Sequence, residues 1–467
     1  MLDCFVREAK ATIPLHLITV KHVGEWLKSQ PPIVQDFVSS THKLPLTAGT
    51  SILIPGVDGK LTQVLACVQD EQDYWLAGHL AATLPSAVYL LHTGLHVSNF
   101  IYAWGLGAYR FTRYKTKDVV TEPYGAKLLL ANTADNQEIS NVIAACYWVR
   151  DLINTPSDDM GPSEFAEEAS KLANNYGATM QQIVGPDLLK HDYNGIYTVG
   201  RASDDQPRLL ELVWGNKEHA HLCLVGKGVC FDSGGLDIKN SSSMLTMKKD
   251  MAGAAHVLAL ARLFMQAQLP IYLRVIIPLV ENVISGNAYH PGDVFTSKKG
   301  LTVEVGNTDA EGRLILADAL ARAVATKPNL LIDVASLTGA ARVALGNDIG
   351  ALFTNNATMA QQLIMQGQLL NDPLWQLPLY QPYRELLHSN IADLNNVSSE
   401  QYGGAITAAL FLQEFVPNDI PWIHLDIMAW NFKARHGRPI GGEAHGLRAL
   451  YFFITEIFLP NLRKAVS

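Results

Sequence analysis

The chain has 467 residues, enough for two to three domains, and its 48% hydrophobic and 17% charged content supplies a sizeable core and excludes a disordered protein. A formal net charge of -8 and an isoelectric point near 6.0 give no basic surface for nucleic acid or an anionic membrane. The five cysteines, Cys4, Cys67, Cys146, Cys223 and Cys230, are scattered and form no Cys-x-x-Cys pair. That argues against a thiolate zinc site or a disulfide framework and predicts buried, reduced thiols.

Met1 to Val20 carries Asp3 and Glu8 and lacks a continuous apolar run, so no secretory signal is read there. No segment approaches the ~18 apolar residues of a membrane span, and a cytoplasmic location is expected. Up to about Asp135, short apolar runs (Leu15 to Val20, Val88 to Leu91, Leu128 to Ala131) alternate with helix-like stretches, which predicts a small α/β domain over 1–135. No cluster of potential catalytic residues falls in it. Val142, Ile143, Cys146, Val149 and Ile153 then recur at helical spacing before the turn signal Thr155-Pro156-Ser157. They predict a connecting helix over 136–155, with a plain core helix as the alternative.

Over 156–467, apolar strand candidates alternate with amphipathic helices. The strands are Leu209 to Trp214, His221 to Gly226, Leu273 to Val280, Leu330 to Ala335 and Ile423 to Ile427. The helices include Ser163 to Tyr176, Met251 to Gln266 and Arg313 to Thr326. This order predicts a larger C-terminal domain with a mostly parallel central sheet flanked by helices. Such sheets place ligands beyond the carboxyl ends of their strands, so the polar residues there become candidates.

Val225 to Gly235 (VGKGVCFDSGG) holds four glycines and leaves Lys227 and Asp232 as its ionisable groups. A phosphate-binding loop would need Ser or Thr after Gly-Lys, where Gly228 stands. In Met247-Lys-Lys-Asp250, Asp250 reads either as a plain helix N-cap or as a functional carboxylate. Asn307 to Leu314 (NTDAEGRL) opens another helix. Asp309 and Glu311 could project to one point there, or serve as ordinary dipole complements, and Arg313 could pair with them. Each stretch alone is ambiguous.

Together, Asp232, Asp250, Asp309 and Glu311 follow strands or open helices of one sheet and can converge at its carboxyl edge. Such a set of carboxylates cannot all ionise without positive charge beside it. Two divalent cations, with Lys227, Lys239 and Arg313, would meet that need and suit two-metal hydrolysis. The absence of a His-Glu-x-x-His motif excludes the helical zinc-protease pattern.

These stretches resemble the leucyl aminopeptidase (cytosol aminopeptidase) family of dinuclear metallo-exopeptidases. NTDAEGRL is similar to the family signature. The resemblance extends through VGKGVCFDSGGLDIK (225–239), MKKDMAGAA (247–255), SGNAYHPGD (285–293), DVASLTG (333–339) and GGAITAALFL (403–412), at matching spacings from about Asp151 onward.

The resemblance implies that Lys227, Asp232, Asp250 and Glu311 ligate one metal. Asp232, Asp309 and Glu311 would ligate the other. Zinc or manganese is expected, with magnesium or cobalt as alternatives. It further implies that Lys239 hydrogen-bonds the scissile carbonyl and then the oxyanion. Arg313 would hold a bicarbonate that serves as general base. Substrates would be peptides with a free N-terminal amine, which coordinates the metal shared with Lys227. A homo-oligomer, a hexamer in the family, is expected. Met247 and the block containing Ser336, Leu337 and Gly339 would line the pocket for the first side chain, implying leucine or methionine over lysine or aspartate.

Two departures bear on that pocket. Met428-Ala-Trp-Asn431 replaces a Gly-Thr-Ala-Trp element and runs into an Arg/Gly/Pro stretch, Lys433 to Gly442, and Ser336 stands where threonine is usual. The competing readings are an assembly or regulatory protein with little catalysis on the same fold, and a two-metal phosphoesterase.

Overall fold

The computed structural model describes residues 2–70, 73–95, 97–116 and 125–459. It divides into two compact units, residues 1–147 with 431–440, and residues 148–430 with 441–467. All five cysteines are buried and free, and no described helix is long and apolar enough to cross a membrane.

In the first unit, strands β1 (Phe5–Val6), β2 (Ile13–Thr19), β3 (Ser51–Pro55), β4 (Leu61–Val68), β5 (Ala87–His92) and β6 (Ala126–Leu129) form one sheet in the order β1-β6-β5-β2-β4-β3. All pairs are parallel except β3 with β4. β2 alternates buried and half-buried residues, as a one-sided strand should, and Val38, Ile54, Leu65 and Cys67 close a core beneath the sheet. The segment Asn431–Ile440 belongs to this unit, where Arg438 lies 5.0 Å over the Trp75 ring and His436 packs 4.7 Å from His79. Helix Ala134–Asn154 carries the chain from the first unit into the second, which begins at Trp148.

The second unit is built on a nine-stranded sheet. Its first strands are β7 (Thr179–Val184), β8 (Arg208–Gly215), β9 (Ala220–Gly226), β10 (Gly228–Asp232) and β11 (Ile271–Asn282). β12 (Val294–Thr296), β13 (Thr302–Glu304) and β17 (Leu394–Asn395) form the small three-stranded sheet. β14 (Leu330–Ala335), β15 (Gly350–Thr354), β16 (Leu374–Gln376) and β18 (Trp422–Asp426) complete the large one, in the order β16-β15-β18-β14-β9-β11-β8-β7 with β10 also on β11.

The centre, β18-β14-β9-β11-β10, is parallel, whereas β8 lies antiparallel to β11 and β15 antiparallel to β18. The sheet is therefore parallel where the site candidates end and mixed at its flanks. Central strands covered by helices on both faces lose the alternation of a one-sided strand, and every residue of β14 is buried. Helix Ala252–Gln266 is buried nearly all round, whereas helix Pro162–Tyr176 keeps a polar face, starts on a proline and ends at Gly177 with φ 67°.

Two buried polar knots brace this unit. Asp333 on β14 accepts the Trp422 indole N–H at 2.6 Å and pairs with His424 Nδ1 at 2.5 Å, both on β18. Burial alone would depress the His424 imidazolium, but Asp333 outweighs it and holds it above its ordinary value. Arg150, fully buried, forks onto Glu443 at 3.0 and 3.1 Å. Removing one member of a buried pair strands the other charge, at a cost of about 3–5 kcal/mol. Glu443→Ala should therefore lower stability by about that amount in equilibrium urea unfolding. A loss below about 1 kcal/mol would show the pair to be energetically idle.

Candidate active site

The parallel strands deliver their C-terminal residues to one edge. Lys227 follows β9, Asp232 ends β10, Asn282 ends β11, and Ser336 follows β14. After Asp232 the chain turns through Gly234 and Gly235 at φ 90° and 65°, and the Gly234 N–H folds back onto Asp232 Oδ1 at 2.9 Å. Asn282 Nδ2 donates to the same oxygen at 2.8 Å. Thr308 joins this turn to the NTDAEGRL segment: its hydroxyl donates to the Gly234 carbonyl at 2.6 Å, and its N–H to Asp237 Oδ2 at 2.8 Å. Tyr289, from the SGNAYHPGD block, donates its hydroxyl to the Thr308 carbonyl at 2.7 Å. Asn396 is fully buried and accepts the N–H groups of Gly306 and Asn307 at 2.8 and 3.2 Å.

A cleft of about 360 Å³ opens at this edge, lined by Lys227, Asp232, Lys239, Asp250, Asp309 and Glu311. Met247, Ser336, Leu337 and Gly339, read from the sequence as the side-chain pocket, border the same cleft. Carboxylate oxygens of Asp232, Asp309 and Glu311 lie within 4.8 Å of one another. Asp250 joins them through Lys227, whose Nζ stands 2.6 Å from Asp250 Oδ2 and 2.9 Å from Glu311 Oε1. Lys239 Nζ pairs with Asp232 Oδ2 at 2.7 Å and contacts Asp309. Glycine is required at 312, because a Cβ there would stand 2.4 Å from Lys227 Cε and displace that side chain.

Asp250 does not cap the following helix, as one reading of the sequence had it. The residue preceding helix Ala252–Gln266 is Met251, without a side-chain cap. Asp250 instead turns inward, where Oδ1 accepts the Ser336 hydroxyl at 2.8 Å. The close Lys227 ammonium and the Ser336 hydroxyl outweigh the dipole benefit of capping.

Arg313 is buried and lies outside the cleft lining. Its Nη1 donates to the Asn396 carbonyl at 2.6 Å, and its Nε has no acceptor. Burial pushes its guanidinium down to about 10, partly offset by Glu311 and Asp426. Met428 is likewise buried and outside the cleft lining, whereas Ser336 lies within it.

The charges are in conflict without further cations. Burial, then Asp232, pushes the Glu311 carboxyl up to about 8, and burial, then Asp250, pushes Asp232 up to about 6. Burial would depress Lys227, but Asp250, Glu311 and Asp232 outweigh it and hold the ammonium above its ordinary value. Glu311 Oε2 is buried with no hydrogen-bond partner. An unused carboxylate oxygen among crowded acids, all of them hard oxygen donors, fits a divalent cation.

Sequence reasoning passed over Asn282 and Asn396, which orient Asp232 and the NTDAEGRL turn, and Lys249 and Arg342, which line the cleft. The adjacent lysines beside Asp250 were the one local signal for Lys249.

A parallel-centred sheet with a carboxylate–lysine cleft at the carboxyl edge of its strands matches a hydrolase of the metal-dependent α/β class. Residues 147–451 match the cytosol aminopeptidase family, catalytic domain, and residues 13–131 match the M17 aminopeptidase N-terminal domain. The chain belongs to the cytosol aminopeptidase family, and is a metal-dependent aminopeptidase, a metallo-exopeptidase by class.

It is 39% identical over 396 residues to "probable cytosol aminopeptidase 1" of Shewanella oneidensis, covering 82% of this chain and 79% of that protein. The crystal structure of a cytosol aminopeptidase from Coxiella burnetii superposes with a TM-score of 0.93 at 45% identity, covering 98% of this chain and 100% of the other. The bottromycin maturation enzyme BotP in complex with Mn gives a TM-score of 0.84 at 31% identity, covering 96% of this chain and 100% of that one.

Proposed function

We propose that this chain releases leucine-like N-terminal residues from peptides by two-metal activation of water in the cleft. The observation that carries the reading is the convergence of Asp232, Asp309 and Glu311 around a shared point, with Glu311 Oε2 unpartnered. Lys227, Asp232, Asp250 and Glu311 would hold one cation, and Asp232, Asp309 and Glu311 the other, with zinc or manganese favoured. Bound divalent cations supply Lewis acidity toward a carbonyl and a water of lowered pKa.

The chain's own residues do the remaining work. Asp250 and Glu311 anchor Lys227, and Gly312 leaves room for it. Lys239, held at the cleft by Asp232 and Asp309, presents its Nζ protons to the oxygen that gains charge as the carbonyl is attacked. The acceptor-free Nε supports Arg313 as the holder of a small anion such as bicarbonate, whose chemistry would be proton acceptance. A hexamer working in the cytoplasm belongs to the same proposal, by resemblance to the family.

Met247 and Leu337 give the first side chain apolar contact of adaptable shape. Each methylene in such a pocket is worth ~1–3 kcal/mol, so kcat/KM should rank leucine clearly above alanine, lysine and aspartate in a panel of amino-acid anilides. Amine release from the anilides without phosphate release from an aryl phosphate is the expected outcome. Faster hydrolysis of the aryl phosphate, or of the lysine or aspartate anilide than the leucine one, would overturn the reading.

A further inference from the structure

We propose that the pocket for the first side chain also accepts glutamate, its carboxylate held between Lys249 and Arg342. This rests on the aminopeptidase reading above and adds a substrate class to it. Lys249 is 1% exposed yet lines the cleft, in the same short turn as Met247. Its Nζ has a single acidic neighbour, Asp250 Oδ1 at 3.9 Å, beyond hydrogen-bond distance, and makes no hydrogen bond among the described residues. Asp250 is already engaged by Lys227 at 2.6 Å and by Ser336 at 2.8 Å. A buried ammonium in that position has only a long ion pair, where buried charges favour close, hydrogen-bonded ones.

Arg342, on helix Gly339–Leu345, lines the same cleft. Its Nη2 lies 3.6 Å from where a Cβ on Gly339 would be, so the guanidinium covers the glycine that walls the predicted pocket. No carboxylate pairs with it among the described residues. The acids of the cleft are otherwise committed: Asp232, Asp309 and Glu311 to Lys227 and Lys239, and Asp237 to Thr308.

Lys249, with one distant carboxylate at 3.9 Å, and Arg342, with none among the described residues, line the same cleft as the apolar Met247 and Leu337 and match a side chain with aliphatic carbons first and an anion at its end. Glutamate has that form, and a guanidinium can hold its carboxylate through two parallel hydrogen bonds. Aspartate is a methylene shorter, and the ammonium of lysine would be repelled. The C-terminal carboxylate of a dipeptide shares the chemistry and is separated by the test.

The test measures kcat/KM for glutamyl, glutaminyl and leucyl anilides with the metal-loaded wild type, Arg342→Gln and Lys249→Met. Glutamyl anilide should be cleaved faster than glutaminyl and within ~10-fold of leucyl, and each substitution should cut the glutamyl-to-leucyl ratio by ~10-fold or more. Arg342 is only half-buried, so its variant decides the question even if Lys249→Met fails to fold. A glutamyl rate more than ~100-fold below leucyl, or a ratio unmoved by the substitutions, would overturn the inference while leaving the aminopeptidase reading intact. So would a preference for Leu-Gly over Leu-Gly-amide that Arg342→Gln removes while the glutamyl ratio stands, since the cations would then serve the C-terminus. Failure of the wild type to cleave any anilide would overturn both.

Discussion

Glu311→Ala should lose metal and turnover together. Glu311 is 1% exposed, opens helix Glu311–Val324, and presents one oxygen to Lys227 and the other to no partner. Truncation removes a carboxylate that would serve both cations and leaves Lys227 with Asp250 and the Ser336 carbonyl as its close partners. A bound cation contributes several kcal/mol of transition-state stabilisation, and each ~1.4 kcal/mol is tenfold in rate. A fall in kcat of roughly 10³-fold or more is therefore expected, with metal content by elemental analysis falling in parallel. Full metal content with near-normal kcat would remove Glu311 from the ligand set.

Lys239→Ala should separate catalysis from metal binding. The Lys239 ammonium is held above its ordinary value because Asp232 and Glu311 outweigh the effect of burial. It lines the cleft, paired with Asp232 and Asp309. Deleting it leaves Asp232 and Asp309 with less compensating charge, which favours cation binding and does not oppose it. Metal content should hold while kcat drops by ~10²–10³-fold, the usual cost of one oxyanion donor. The loss should fall on kcat more than on KM, since the hydrogen bond strengthens as charge develops. An emptied metal site in this variant, with both sites filled in Glu311→Ala, would exchange the two assignments.

Much of this site was legible because its residues sit in local patterns. Glycines around Lys227 and Asp232 announce a tight turn after a strand, and Asp309 and Glu311 open a helix whose apolar periodicity is plain. β14 was readable to the residue because it is buried on both faces and reads as one apolar run.

Long-range residues were not legible. Asn282 acts on Asp232 across 50 positions, and Asn396 holds a turn 90 positions away. Nothing in their own neighbourhoods signals such partners. Asp250 illustrates a different limit, since an N-cap and an inward-turned ligand share one local sequence, and the choice depends on where Lys227 and Ser336 arrive from other strands. Nothing in the local sequence marks Arg342, whose guanidinium the fold places beside Gly339. The assignment of Asn431–Ile440 to the first unit rests on contacts with Trp75 and His79, more than 350 positions earlier, which composition alone does not report.

The central claim, a dinuclear metal centre that hydrolyses N-terminal peptide bonds, is tested most directly by titrating metal into exhaustively chelated protein while following leucyl-anilide hydrolysis and bound metal together. Activity should be absent in the metal-free protein and return with manganese or zinc, reaching its plateau at two bound ions per chain. Full activity with no metal detected, or a plateau at one ion per chain, would contradict it.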